Sequence, residues 1–291
     1  MTQQPTPHQA PPAAPAAAQH PRSAGTAVMW TTAALGGLMI LGIGASAAYG
    51  AATSVSGTTG AGGVTTVSAE GIAGLDLDIS TADFTLAYGP VTEATLEVTG
   101  TRSEQWGLRR DSDSLVVRAP GGVGGSCWFG FCPPDRNASA TATLTLPQEL
   151  KTRALDADVT VGVGTFTADG TFASIEMELG AGTAHVKGAA EALDVSVGVG
   201  TFTGEFTGVR RADLVVSMGE LDTRLRGDAP DSIGIEVGIG SALIEVPDVE
   251  YRFDLSSSLG DVQNSLRNNP SADREITADV GMGDLTLRPG A

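Results

Sequence analysis

Cysteine is nearly missing from this chain: of 291 residues, only Cys127 and Cys132 carry a thiol. Two thiols exclude a heavily stapled fold and leave a tetrahedral zinc site two ligands short. Lysine is equally scarce, at Lys151 and Lys187, and 17 basic residues face 34 acidic ones for a formal net charge of −17. Without a basic patch there is nothing to neutralise phosphate, so nucleic acid and anionic membrane surfaces are excluded as partners of the acidic region. Histidine is confined to His8, His20 and His185. The first two lie in a Pro/Ala/Gln tail, and the third has the parity of a solvated strand position. No Gly-Lys-Ser/Thr loop is present, and "GVGTFT" lacks the third glycine and the following helix of a dinucleotide fingerprint. The carboxylate pairs Asp76/Asp78 and Asp156/Asp158 take the outward parity of their strands, which makes them a solvated face and not a glycosidase pair. The expectation is a protein that is not an enzyme and holds no cofactor or metal.

Charge divides what is present. All 34 acidic residues lie at or beyond Glu70, and before that point Arg22 is the only charged side chain. Residues 1–26 are Pro, Ala and Gln with too little apolar mass for a core, and they read as a disordered cytoplasmic tail. Residues 27–52 carry no charge, and Trp30 and Tyr49 stand near the two ends. About 20 apolar residues suffice to cross a bilayer, so this segment predicts a transmembrane helix. A signal peptide cleaved at "ASA" (Ala45 to Ala47) is the alternative. The long preceding tail with one arginine favours the uncleaved anchor. Gly42 and Ser46 would let two such helices approach, a route to a homo-oligomer. Residues 53–69 read as a Gly/Ser/Thr stalk, and residues 70–291 as an extracytoplasmic domain.

That domain repeats itself. "VGVGTFT" stands at Val161 to Thr167 and again at Val197 to Thr203, with "LGAGTAHV" halfway between. The glycine column continues through Gly164, Gly182, Gly200, Gly219, Gly240, Gly260 and Gly283, at spacings of 18 to 23 residues. Before each glycine, apolar residues alternate with polar ones, as at Leu193, Val195, Val197 and Val199. After it the next apolar residue comes two places on, as at Phe202. Alternation of period two predicts strands with one buried face, and the phase change predicts a corner at the glycine. On this reading Val163 and Phe166, or Val199 and Phe202, share one interior. "LDLDISTADFTL" joins the same frame with Ala82 at the glycine position. The predicted architecture is all-β: a single-domain β-solenoid of about nine coils, about 20 residues each, stacked ~4.8 Å apart. Asp83, Thr165, Thr183, Thr201, Glu220, Ser241, Asp261 and Asp284 follow the corner as a polar ladder. It reads as a solvated face; threonine dominates where a calcium edge would want carboxylates.

One loop breaks the rhythm. Residues 119–137 contain "CWFGFC", in which Cys127 and Cys132 are expected to form a disulfide around Trp128, Phe129 and Phe131. Two readings of these aromatics stay open: a cap on one end of the hydrophobic stack, or an exposed interaction knob for a partner.

"LDLDISTADFTL", "ATLTLPQEL" and the returning "VGVGTFTADG" resemble the bacterial putative-adhesin β-repeat family, a domain of unknown function related to the head GIN domain of auto-transporter adhesins. The similarity runs over about residues 71 to 287. It implies a β-solenoid behind a membrane anchor, without catalytic residues. The expected function is an adhesin-like binding module at the cell surface, whose partner is a cell-surface or envelope protein or polymer. The alternative is an accessory regulatory or sensory subunit of an envelope stress system that acts through a membrane partner. The last coil, ending "LTLRPGA", is expected to leave open strand edges.

Overall fold

The structure is a computed structural model that describes residues 58–60, 63–120 and 140–290. These fall in one compact unit, Val55–Ala291. Its fifteen strands form a single sheet, and the described residues include two short 3-10 turns but no α-helix. The strands are β1 (Thr58–Gly60), β2 (Val64–Val67), β3 (Gly74–Gly89), β4 (Ala94–Gly100) and β5 (Gly107–Asp111). Next come β6 (Ser114–Arg118), β7 (Ala140–Pro147), β8 (Leu155–Ala189), β9 (Ala192–Thr207) and β10 (Arg211–Arg226). The chain ends with β11 (Ser232–Val246), β12 (Glu250–Leu259), β13 (Val262–Asn264), β14 (Arg267–Asn268) and β15 (Glu275–Pro289).

Repeat length becomes register. β3 pairs in parallel with the first half of β8, Ala82 opposite Gly164, and the second half of β8 pairs with β9, Gly182 opposite Gly200. β9, β10 and β11 follow with Gly200, Gly219 and Gly240 aligned. Each rung therefore sets like residues beside like. Leu193, Val195, Val197 and Phe202 are all buried, as are their counterparts Ala212, Leu214, Val216 and Leu221 one rung on. One apolar interior results, running through the whole stack. Burying a side chain of this size is worth about 1.5–3 kcal/mol, which offsets the ordering of short rungs that make few local contacts.

The last rungs depart from chain order. β15 lies between β11 and β12, with Gly283 opposite Gly240 and Met282 opposite Leu259. The glycine column accordingly runs 240, 283, 260. The expectation that "LTLRPGA" forms an open edge is overturned, because β15 is covered on both sides. The end rung is β12 with β13 and β14. Serine replaces the buried aliphatic there: Ser257 is exposed, whereas its counterparts Val280 and Val237 are buried. At the opposite end β3 pairs with β6 and β7, and antiparallel β5, β4, β2 and β1 close that side. Trp106 is buried there and stacks on Phe84 at 6.4 Å, and Phe84 stacks on Phe166 at 5.9 Å.

Among the described residues no helix is long and apolar enough to cross a membrane. Residues 1–54, including the predicted span at 27–52, lie outside the described residues.

Candidate functional site

The corner is the most repeated piece of the chain, and its geometry differs from the sequence expectation at one position. Ladder pairing passes from Val216↔Val237 to Met218↔Ile239, leaving Ser217 and Gly238 out. The same skip removes Ser80 and Gly162, and Gly180 and Gly198. The phase thus breaks two residues before the glycine, where every rung has Gly or Ser. From there alternation restarts outward, inward, outward, inward. The glycine itself points into the corner, and the residue before it points to solvent.

The inward position has no room. A Cβ at Gly182 would stand 1.9 Å from the carbonyl oxygen of Gly164, and one at Gly200 would stand 1.9 Å from that of Gly182. Both glycines also adopt φ near +140° (138° and 146°), which side-chain-bearing residues rarely take. Gly164, Gly219, Gly240, Gly260 and Gly283 meet the same obstacle at 1.7 to 1.9 Å. These seven glycines are structural corner residues that no substituent fits. Ala82 opens the column opposite Gly164, on a strand that pairs with β6 before the corner and with β7 after it.

The residue before each glycine is the correction. Val163, Val199, Met218, Ile239, Leu259 and Met282 are 44% to 70% exposed, where a shared interior was expected for them. They form a ridge: Val199 pairs with Met218, Met218 with Ile239, Ile239 with Met282, and Met282 with Leu259. Parity counted through the glycine sends them inside. The signal for the true side is the small residue two before each glycine, where the ladders from β3 to β11 skip a pair.

The strand arm leading into the corner carries carboxylates outward. Asp76 pairs with Asp158, Glu176 with Asp194, and Asp194 with Asp213, so like charges lie beside one another. Partial burial pushes the Asp158 carboxyl above its ordinary range, with Glu176 and Asp76 adding to the rise, Arg118 opposing it and Asp78 adding again. Burial first, then Glu176, Asp158 and Asp194, raises Glu178. Burial then Asp213 raises Asp194, and burial then Asp279 raises Glu236. Arg118 reaches this face at one end, at 2.9 Å from Asp76 and 2.8 Å from Asp78. The arm leaving the corner is different. There Arg224 meets Asp222 at 2.8 Å and Glu245 at 3.4 Å, Arg226 meets Glu205 at 3.4 Å, and Arg288 also pairs with Glu245. Partly exposed pairs of this kind contribute little each, but they neutralise that arm.

The remaining predicted residues are quickly placed. His185 is exposed, as its parity implied, and the polar ladder after the corner is exposed or half-exposed. Among the described residues no group of three or more His, Cys, Asp or Glu is arranged to hold a metal ion. Cys127, Cys132, Trp128, Phe129 and Phe131 lie outside the described residues, so neither their disulfide nor either reading of the aromatics is tested. The chain leaves toward them at Pro120, whose carbonyl accepts a 2.5 Å hydrogen bond from Ser80 Oγ at the first corner. Inside the stack, a void of about 10 Å³ beside Phe166 and Phe172 is too small for a ligand. An open cleft of about 470 Å³ runs along the turns between rungs, past Glu191, Arg210, Asp231 and Arg274.

No family model matches the chain, and no curated protein matches it. The resemblance to the adhesin β-repeat family therefore rests on the sequence motifs. Among solved structures, a putative cell adhesion protein from Clostridium sporogenes is similar at 11% identity and a TM-score of 0.34, over 78% of this chain and 98% of its own. A putative adhesin from Bacteroides fragilis is similar at 10% identity and a TM-score of 0.36, over 83% of this chain and all of its own.

Proposed function

We propose that residues 70–291 form a β-solenoid that serves as an adhesin-like binding module, held at the outer face of the cell membrane by residues 27–52. In-register pairing is the observation that carries this reading. Because Gly164, Gly182, Gly200, Gly219 and Gly240 align rung by rung, the outward columns on either side of them each repeat one kind of side chain at about 4.8 Å, apolar before the glycine and polar after it. The product is a long surface of parallel chemical stripes. Such a surface suits an extended partner, since many weak contacts in line add up without a deep pocket. The partner class is an envelope or cell-surface protein or polymer.

Crosslinking of the full chain in intact cells tests this. Recovery of surface protein or wall polymer supports the binding module. Recovery of a histidine kinase or other membrane signalling protein favours the regulatory reading instead. Protease added to intact cells tests the topology: the proposal requires residues 70–291 to be digested and the N-terminal tail to survive.

A further inference from the structure

We infer that the exposed corner ridge is a docking surface for a basic, amphipathic polypeptide segment. This deepens the binding-module reading and rests on it, adding the position of the contact and the chemistry of the partner.

The ridge sits where water would be expected to select polar side chains. Two residues further along, on the same outward parity, every rung has Thr, Ser, Asp or Glu. One residue before the glycine, the outward position is instead Val163, Ala181, Val199, Met218, Ile239, Met282 and Leu259 in stack order. Single exposed apolar residues need no explanation, but an aligned column is a patch, and patches of this kind mark contact surfaces. Seven rungs at about 4.8 Å make a stripe about 29 Å long. It is widest toward Met218, Ile239, Met282 and Leu259, and methionine adapts its shape to a partner.

Charge selects the occupant. From six residues before the corner position to one after it, the eight stacked rungs contain fourteen carboxylates and no Lys or Arg of their own, and Arg118 of β6 pairs with two of them, Asp76 and Asp78, at one end. Glu178, Glu236 and Asp279 flank the ridge on one side, and Glu220, Asp284 and Asp261 on the other. A second copy of this chain would bring like charge against like charge, and an anionic bilayer would be repelled. Asp194 lies opposite Glu176 and Asp213, and Glu236 opposite Asp279, so like charges already stand side by side on this face. A small cation would relieve the charge but leave the ridge wet. A segment with an apolar stripe between flanking Lys or Arg answers both, and about 29 Å corresponds to roughly nine extended residues or nineteen helical ones.

The test uses the full chain in zwitterionic nanodiscs, with an eighteen-residue Leu/Lys amphipathic peptide as probe and empty discs as baseline. A peptide with the same lysines but serine for leucine reports charge alone. The wild-type chain should bind the Leu/Lys probe at least tenfold more tightly than the Ser/Lys probe, and more weakly as salt rises. The variant Val199→Thr, Met218→Gln, Ile239→Thr keeps β-branching at 199 and 239 and side-chain length at 218 while making all three positions polar. It should lose at least tenfold in affinity with its thermal midpoint unchanged. Equal binding by variant and wild type overturns the proposal, as does no binding above empty discs. A midpoint that falls by several degrees while binding persists also overturns it, because the ridge would then be cross-strand packing. A wild-type dimer that the variant dissolves overturns it in favour of a second copy. If the chain captures cell-envelope material but not the probe, this inference fails and the binding-module reading stands. If it binds the probe through the ridge but captures no envelope material, the module reading fails alone.

Discussion

Gly200 and Val199 are adjacent in the chain and opposite in every physical respect. The glycine points into a corner where a Cβ would stand 1.9 Å from a backbone oxygen, and the valine points to solvent with half its surface exposed. The same contrast recurs at Gly219 and Met218, and at Gly240 and Ile239. A repeated residue therefore has one of two meanings. The glycine repeats because each rung must stack on the next. The apolar residue beside it repeats without being needed for the core, which makes it the better candidate for contact with a partner.

Substitutions sharpen this contrast in order of size. Gly219→Val should abolish folding, since it combines a forbidden φ of 145° with a clash against backbone. Circular dichroism of the variant would show loss of strand signal. Phe202→Ala empties a fully buried position beside Gly204 and should cost about 3–5 kcal/mol in denaturant unfolding. Thr223→Val acts in the opposite direction. Its hydroxyl is wholly buried with no hydrogen-bond partner, so removing it should stabilise by about 1 kcal/mol. A lower denaturation midpoint in that variant would show that the hydroxyl has a partner.

The smallest effect is a pH effect on the acidic arm. Asp194 has its carboxyl raised, so the folded state holds that proton more tightly than the unfolded chain does. Its contribution is therefore unfavourable at neutral pH and fades as pH falls through the raised value toward the ordinary carboxylate range. Asp194→Asn should raise the thermal midpoint slightly at neutral pH and leave it unchanged in acid. Because the group is largely solvated, the gain should be a few tenths of a kcal/mol at most. A gain that grows as pH falls would contradict the stated cause.

Much of the stack was legible in the sequence because its chemistry is periodic. Alternation placed Leu193, Val195, Val197 and Phe202 inside and the Asp76/Asp78 and Asp156/Asp158 pairs outside, and the spacing of the glycines set the register. The side taken by Val199 was not legible by counting, because two small residues, Gly198 and Gly200, offer the bend and parity depends on which one takes it. The stacking order of the last rungs was hidden for a related reason. The segments around Gly260 and Gly283 share one pattern, and a pattern gives register without order. Ser257 held the clue: a rung that substitutes serine for a core aliphatic belongs at an end, where half of its surroundings is solvent. The aromatic loop around Trp128 has no periodic partner elsewhere in the chain, so neither counting nor the described residues place it.

The central claim is that the corner column and the ridge column do different jobs one residue apart. Denaturant unfolding of Gly200→Ala beside Val199→Thr tests it directly. The account predicts a loss of about 3 kcal/mol or more for the first and a change within about 0.5 kcal/mol for the second. Similar losses in both variants would contradict it, because the ridge would then belong to the fold.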